Sequence, residues 1–192
     1  MIIHGLFLMI ISTACFAHGN APVDSFGFTA GFKHPIMGLD HLLAMACVGM
    51  ISSRIGGKAV WQVPACFVSV MALGCVVGFY GGDFSMMEPI ISLSVAIFGV
   101  LFLVPRYLTL TATFVTVAIF AVVHGYAHGK EMPIFVLPEI YIAGFLTATT
   151  VIHVLGVGIG ELINKLPQST RLTQVTGAAL MVTGVLLLIG VI

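Results

Sequence analysis

Residues 34–45 read HPIMGLDHLLAM. They open a long apolar run, yet they carry His34, Asp40 and His41. Whether this run faces water or lipid decides the fold. The chain has 192 residues, 59% hydrophobic and 7% charged, where soluble domains carry roughly 25% charged residues. So little charge cannot clothe a water-facing surface, and the chain reads as a polytopic membrane protein. Lipid forces each span to be helical, because an open strand would leave backbone polar groups without partners. The fold class is therefore all-α. An acid inside such a run costs about 2.5–3.5 kcal/mol on insertion scales, so it must return something.

Working outward from that stretch, Pro35 suits the first position of a helix, where its missing N–H costs nothing. The first span then covers about 35–53. Breaks at Gly/Pro clusters and at the few charges place five more, at about 60–80, 88–104, 107–127, 137–159 and 173–192. Residues 18–192 form one six-helix transmembrane domain. Ahead of it, MIIHGLFLMIISTACFA has an apolar centre and small residues near its end. It reads as a cleavable signal peptide, residues 1–17, cut after Ala17, with an uncleaved anchor as the alternative. Four cysteines occur and none forms a CxxC pair, so neither a zinc knuckle nor a disulfide framework is indicated. Gly74/Gly78 and Gly156/Gly160 are GxxxG pairs suited to close helix crossing.

Lys and Arg set the orientation. With the mature N-terminus outside, the inner loops carry Arg54, Lys58, Arg106, Lys165 and Arg171, and the outer segments carry Lys33 and Lys130. Asp24, Asp83, Glu88, Glu131 and Glu139 fall outside. Both signals give a multi-pass protein with both termini outside. A zero net charge argues against nucleic acid as a partner.

On this topology the polar residues converge. Asp40 and His41 lie about 8–9 Å below Pro35 on an unbroken helix. The fourth span ends VVHGYAHGKEMP, where His124 and His128 are four apart and share a face. His34, Asp40, His41, His124 and His128 thus reach similar depths in the outer half. Imidazole and carboxylate are natural ligands for Zn²⁺, Ni²⁺, Co²⁺ or Cu²⁺. Asp40 and His41 point about 100° apart, so Asp40 either touches a metal or only aims an imidazole. Four further residues are accessory candidates. Glu88 and Glu131 stand at the outer mouth. His18 would begin the mature chain, where its amine and imidazole could chelate. His153 lies about 20 Å below Glu139, either as a second station on a path or as a packing donor.

HPIMGLDHLLAM, HGYAHGKEMP and YIAGFLTATTVIHVLGVGIG resemble the three signature blocks of the HupE/UreJ family. The leader, the six spans and the His at the mature start fit as well, so the resemblance covers essentially the whole mature chain. It implies a nickel, or nickel and cobalt, permease of the bacterial inner membrane, associated with hydrogenase or urease maturation. Both termini would then be periplasmic. It carries the family's polar motif residues onto His34, Asp40 and His41, onto His124, His128 and Glu131, and onto His153. The expected partners are a divalent metal ion, Ni²⁺ or Co²⁺, carried as substrate with no permanent cofactor, and the lipid bilayer. Homo-oligomerisation is left open.

Two rival classes stand beside a permease. A haem or metal-binding membrane enzyme would use two axial His on facing helices, and His41 and His124 could serve. It would leave Asp40 and the His-x3-His unused. A metalloprotease would need HExxH, and HGYAH offers Gly where the Glu belongs. The chain is therefore not expected to be an enzyme. The other rival is a non-transporting metal sensor or accessory protein. No GxxxxGK[ST] occurs, so the chain has no P-loop of its own.

Overall fold

The computed structural model describes residues 23–104 and 109–192. The expected leader, its cut after Ala17 and His18 lie outside the described residues. Seven helices and no strand occur among them: α1 Val23–Met37, α2 Leu39–Ile55, α3 Ala59–Tyr80, α4 Met87–Leu103, α5 Leu110–Lys130, α6 Pro138–Lys165 and α7 Ser169–Leu188.

Local chemistry explains several helix ends. The Thr109 side chain caps α5 by accepting from the Ala112 N–H at 3.2 Å. Pro138 opens α6, where its missing N–H costs nothing. Pro35 departs from expectation: it sits inside the last turn of α1 and does not start the span. The break falls at Gly38, whose backbone is extended (φ −82°, ψ 115°), and α1 and α2 meet at a bend of 80°. Pro35 cannot supply an N–H to the turn before it, so the helix is already weakened where the chain turns. Residues 23–34 read from sequence as an outer loop because Asp24, Lys33 and two glycines dilute their apolar character.

The helices pair along seams of glycine. Gly74 and Gly78 of α3 lie against the carbonyls of Val122 and Tyr126 on α5. In return Gly125 and Gly129 lie against the carbonyls of Met71 and Cys75. This register runs α3 and α5 parallel. Gly156 of α6 faces the Ala46 carbonyl of α2, and Gly160, one turn on, faces Met50, again in parallel, with Gly49 set against the α6 backbone between His153 and Val157. Gly99 of α4 meets Gly177 and Leu180 of α7, while Gly184 meets Ala96, which is antiparallel. A Cβ at any of these glycines would overlap backbone, so each lets two helices approach as membrane helices do. Both GxxxG pairs read from the sequence serve this purpose. Arg54 Nη1 donates to Asn164 Oδ1 at 3.2 Å and Asn164 Nδ2 to the Ser53 carbonyl at 3.3 Å, closing the α2–α6 pair at its far end.

The core holds Met45, Ile51, Phe67, Phe98, Phe102 and Phe145, all almost wholly buried. The outer surface is also apolar: Trp61, Leu73, Val154, Leu162 and Val175 are each more than 60% exposed. Soluble monomers rarely expose such extended patches, and a hydrocarbon surrounding explains them. Helices α3, α5, α6 and α7 are each long and apolar enough to cross a membrane, and the bent pair α1–α2 makes a fifth if counted as one span. The remaining one, α4, is a mostly apolar helix of 17 residues, about 25 Å long against a hydrocarbon core of about 30 Å. The chain is an integral membrane protein.

Candidate metal site

The site begins at the bend. On a straight helix His34 and His41 would be about 10 Å apart along the axis. The 80° turn at Gly38 folds α1 back, and the two rings stand 5.9 Å apart between centroids. The expected descent of Asp40 and His41 below Pro35 along one helix is therefore corrected: a turned chain sets His34 and His41 beside each other.

In the first turn of α2, the Asp40 carboxylate folds back onto its neighbour. Its Oδ1 accepts from the His41 backbone N–H at 2.8 Å and lies 3.1 Å from His41 Nδ1. A carboxylate so placed fixes the proton on Nδ1 and leaves the lone pair on Nε2. That Nε2 is buried and has no hydrogen-bond partner among the described residues. Gly38 gives the fold-back room, because a Cβ there would press on it, 3.1 Å from His41 Nδ1 and 3.2 Å from Asp40 Oδ1.

The α5 histidines complete the group. His124 Nδ1 lies 2.9 Å from the Phe120 carbonyl. A carbonyl only accepts, so Nδ1 carries the proton and Nε2 presents its lone pair. His128 is fully buried, and neither ring nitrogen has a partner among the described residues. Its ring stands 4.8 Å from that of His34 and 5.0 Å from that of His41, and the His124 ring stands 5.1 Å from His41.

His34, His41 and His128 each offer one nitrogen, all within 4.8 Å of one another. An ion bound at about 2.0–2.1 Å from each nitrogen holds such atoms no more than about 4 Å apart. The trio is thus within about 1 Å of a binding arrangement. Of the five residues expected to converge, three form this trio, His124 adjoins it through His41, and Asp40 stands behind His41.

Above the trio opens a cavity of about 530 Å³ whose wall includes Lys33, His34, Asp40, Glu88, Glu131 and Tyr141. Glu131, just past the end of α5, lies 2.8 Å from His34 Nε2. That hydrogen bond holds the Glu131 carboxyl below the usual glutamate range, against the opposing effect of its partial burial. Glu88 faces Glu131 across the mouth. Glu88 and Glu131 thus both line this cavity. His153 is set apart: Phe67 lies between it and His124, with ring centroids 5.1 and 5.5 Å away.

Sequence reasoning missed three aromatic walls. Phe145 stacks on His128 at 4.6 Å and 9°, Tyr141 stands 6.2 Å from His34, and Phe67 floors the cluster. Aromatic residues are ordinary filler in apolar helices, and their spacing carried no signal. Gly38 was equally silent, since its effect lies in the space its missing Cβ leaves.

These features define a helical membrane protein with an imidazole cluster beneath an acidic mouth. The family model described as HupE / UreJ protein matches residues 6–187. A similar protein, named Protein HupE, from Rhizobium leguminosarum bv. viciae, is 40% identical over 184 residues, 95% of each chain. The chain belongs to the HupE/UreJ family. No solved structure matches it.

Proposed function

We propose that this protein is a secondary transporter that takes up a hydrated divalent ion, Ni²⁺ first and Co²⁺ second, from periplasm to cytoplasm. The observation that carries the reading is the trio His34, His41 and His128, with nitrogens within 4.8 Å of one another beneath a mouth bearing Glu88 and Glu131. The carboxylates draw the cation in, and the imidazoles replace its water. Neutral imidazole is the binding form, so protons compete with the ion for these nitrogens. Asp40 aims His41 and fixes its tautomer, and His124 extends the donor set downward. The preference for nickel rests on family membership, because the donors alone would favour copper.

The protein crosses the bacterial inner membrane six times, with α2 to α7 as the spans and both termini periplasmic. The parallel α3–α5 and α2–α6 pairs and the antiparallel α4–α7 pair are those an alternating six-span chain produces. Charge on the loops supports the orientation. A membrane potential supplies about 2.3 kcal/mol per charge per 100 mV, hence roughly 4.6 kcal/mol for a divalent ion, on the order of a thousandfold accumulation. The test is radiolabelled nickel uptake into proteoliposomes, with cobalt, zinc and copper as competitors. Saturable nickel uptake supports the reading. Binding without flux identifies a sensor or accessory protein, and a Soret band in the purified protein identifies a haem enzyme.

A further inference from the structure

Helix α6 places Tyr141, Phe145, Thr149 and His153 at steps of four residues, so they form one stripe along it. All four are buried, with exposures of 1, 0, 0 and 1%. The stripe runs beside the imidazole cluster and past its floor. Tyr141 stands next to His34, Phe145 stacks on His128, and His153 meets the far side of Phe67.

The polar members of this stripe share an unusual condition. The Tyr141 hydroxyl, the Thr149 hydroxyl and both nitrogens of His153 have no hydrogen-bond partner among the described residues. Thr149 is the informative case. Its neighbours Thr147 and Thr150 each donate to the carbonyl four residues back, at 2.7 Å. The same bond is open to Thr149, and its hydroxyl is turned elsewhere. In a hydrocarbon surrounding each such group costs free energy unless something polar meets it. Three of them along one line describe a track that meets its partners only in passing. At its lower end a mainly apolar cavity of about 540 Å³ between α3 and α6, with Trp61, Pro64 and Val154 in its wall, reaches His153.

We propose that this stripe of α6 lines the descent of the ion from the outer trio, with His153 as a second coordinating station beyond Phe67. The inference rests on the transport reading above and adds the route and its inner stop. Tyr141 and Thr149 hydrogen-bond the water that stays on the ion. His153 supplies a neutral nitrogen once Phe67 has swung aside. Phe67 separates the two stations, so the ion occupies one at a time.

The test uses His153→Gln and Thr149→Val in full-length protein, with nickel binding measured by calorimetry and nickel flux measured in proteoliposomes. Nickel affinity at the outer trio should stay within about twofold of wild type, as for separated sites. Flux should fall about tenfold or more for His153→Gln, a barrier increase of about 1.4 kcal/mol, and several-fold for Thr149→Val. Intact binding shows that each variant is folded. Wild-type flux with an unimpaired His153→Gln overturns this inference and leaves the transport reading standing. Loss of binding together with flux in His153→Gln also overturns it, because His153 would then belong to the outer site or to the fold. Absence of flux in the wild-type protein overturns the transport reading and this inference with it.

Discussion

Replacing Asp40 separates aiming from coordination. The Asp40 carboxylate makes two contacts with His41, at 2.8 Å to the backbone N–H and 3.1 Å to Nδ1. A hydrogen bond to a charged partner contributes about 1.5–3 kcal/mol. Losing the one to Nδ1 frees the ring to turn and to exchange tautomers. Asp40→Ala should therefore weaken nickel binding by about 10–100-fold, the usual effect of removing a group that orients a metal-bound imidazole. Asp40→Asn keeps an oxygen that accepts from Nδ1–H, and should recover much of that loss. The assay is isothermal calorimetry in detergent, with near-ultraviolet circular dichroism to show that the fold is kept. If Asp40→Asn bound as poorly as Asp40→Ala, and neither bound measurably, Asp40 would be a direct ligand. If Asp40→Ala bound like wild type, the aiming role would be refuted.

Three further outcomes follow from the geometry. His128→Ala removes one of the three nitrogens lying within 4.8 Å of one another, and the other two should hold nickel at least about 100-fold more weakly, as read by the same calorimetry. Gly125→Ala puts a methyl against the Met71 carbonyl in the tightest α3–α5 seam. It should cost about 1–3 kcal/mol, as overpacking does, seen as a lower unfolding temperature in detergent. Glu131 is held below its ordinary pKa by His34, so this pair stabilises the fold above the unfolded glutamate value. The contribution is lost as pH falls through the depressed folded value. Glu131→Gln should remove that acid-side loss from a plot of unfolding temperature against pH.

Much of this was legible in the sequence because membranes punish misplaced polarity. The helices showed as apolar runs, and His124 and His128 disclosed a shared face by their spacing alone. Asp40 and His41 were marked as functional because an acid in hydrocarbon needs a reason. The bend was hidden. Pro35 is as compatible with the start of a helix as with its last turn, and only the tertiary fold shows that the chain turns at Gly38. The direction of the Asp40 carboxylate was likewise undetermined, since a helical wheel fixes where a side chain leaves the backbone and leaves its rotamer open. The paired glycines Gly125 and Gly129 escaped notice because HGYAHG draws attention to its histidines, whereas their backs are what α3 leans on.

The glycine seams divide the site between two bodies. His34 and His41 belong to α1 and α2, which are sewn to α6, while His124 and His128 belong to α5, which is sewn to α3. Contact between α2 and α5 themselves is sparse. An ion gripped by His34, His41 and His128 would act as a clasp across that gap, and sliding one body past the other would unfasten it. On the transport reading proposed above, release of the ion and movement of the two bodies past each other would then be a single event.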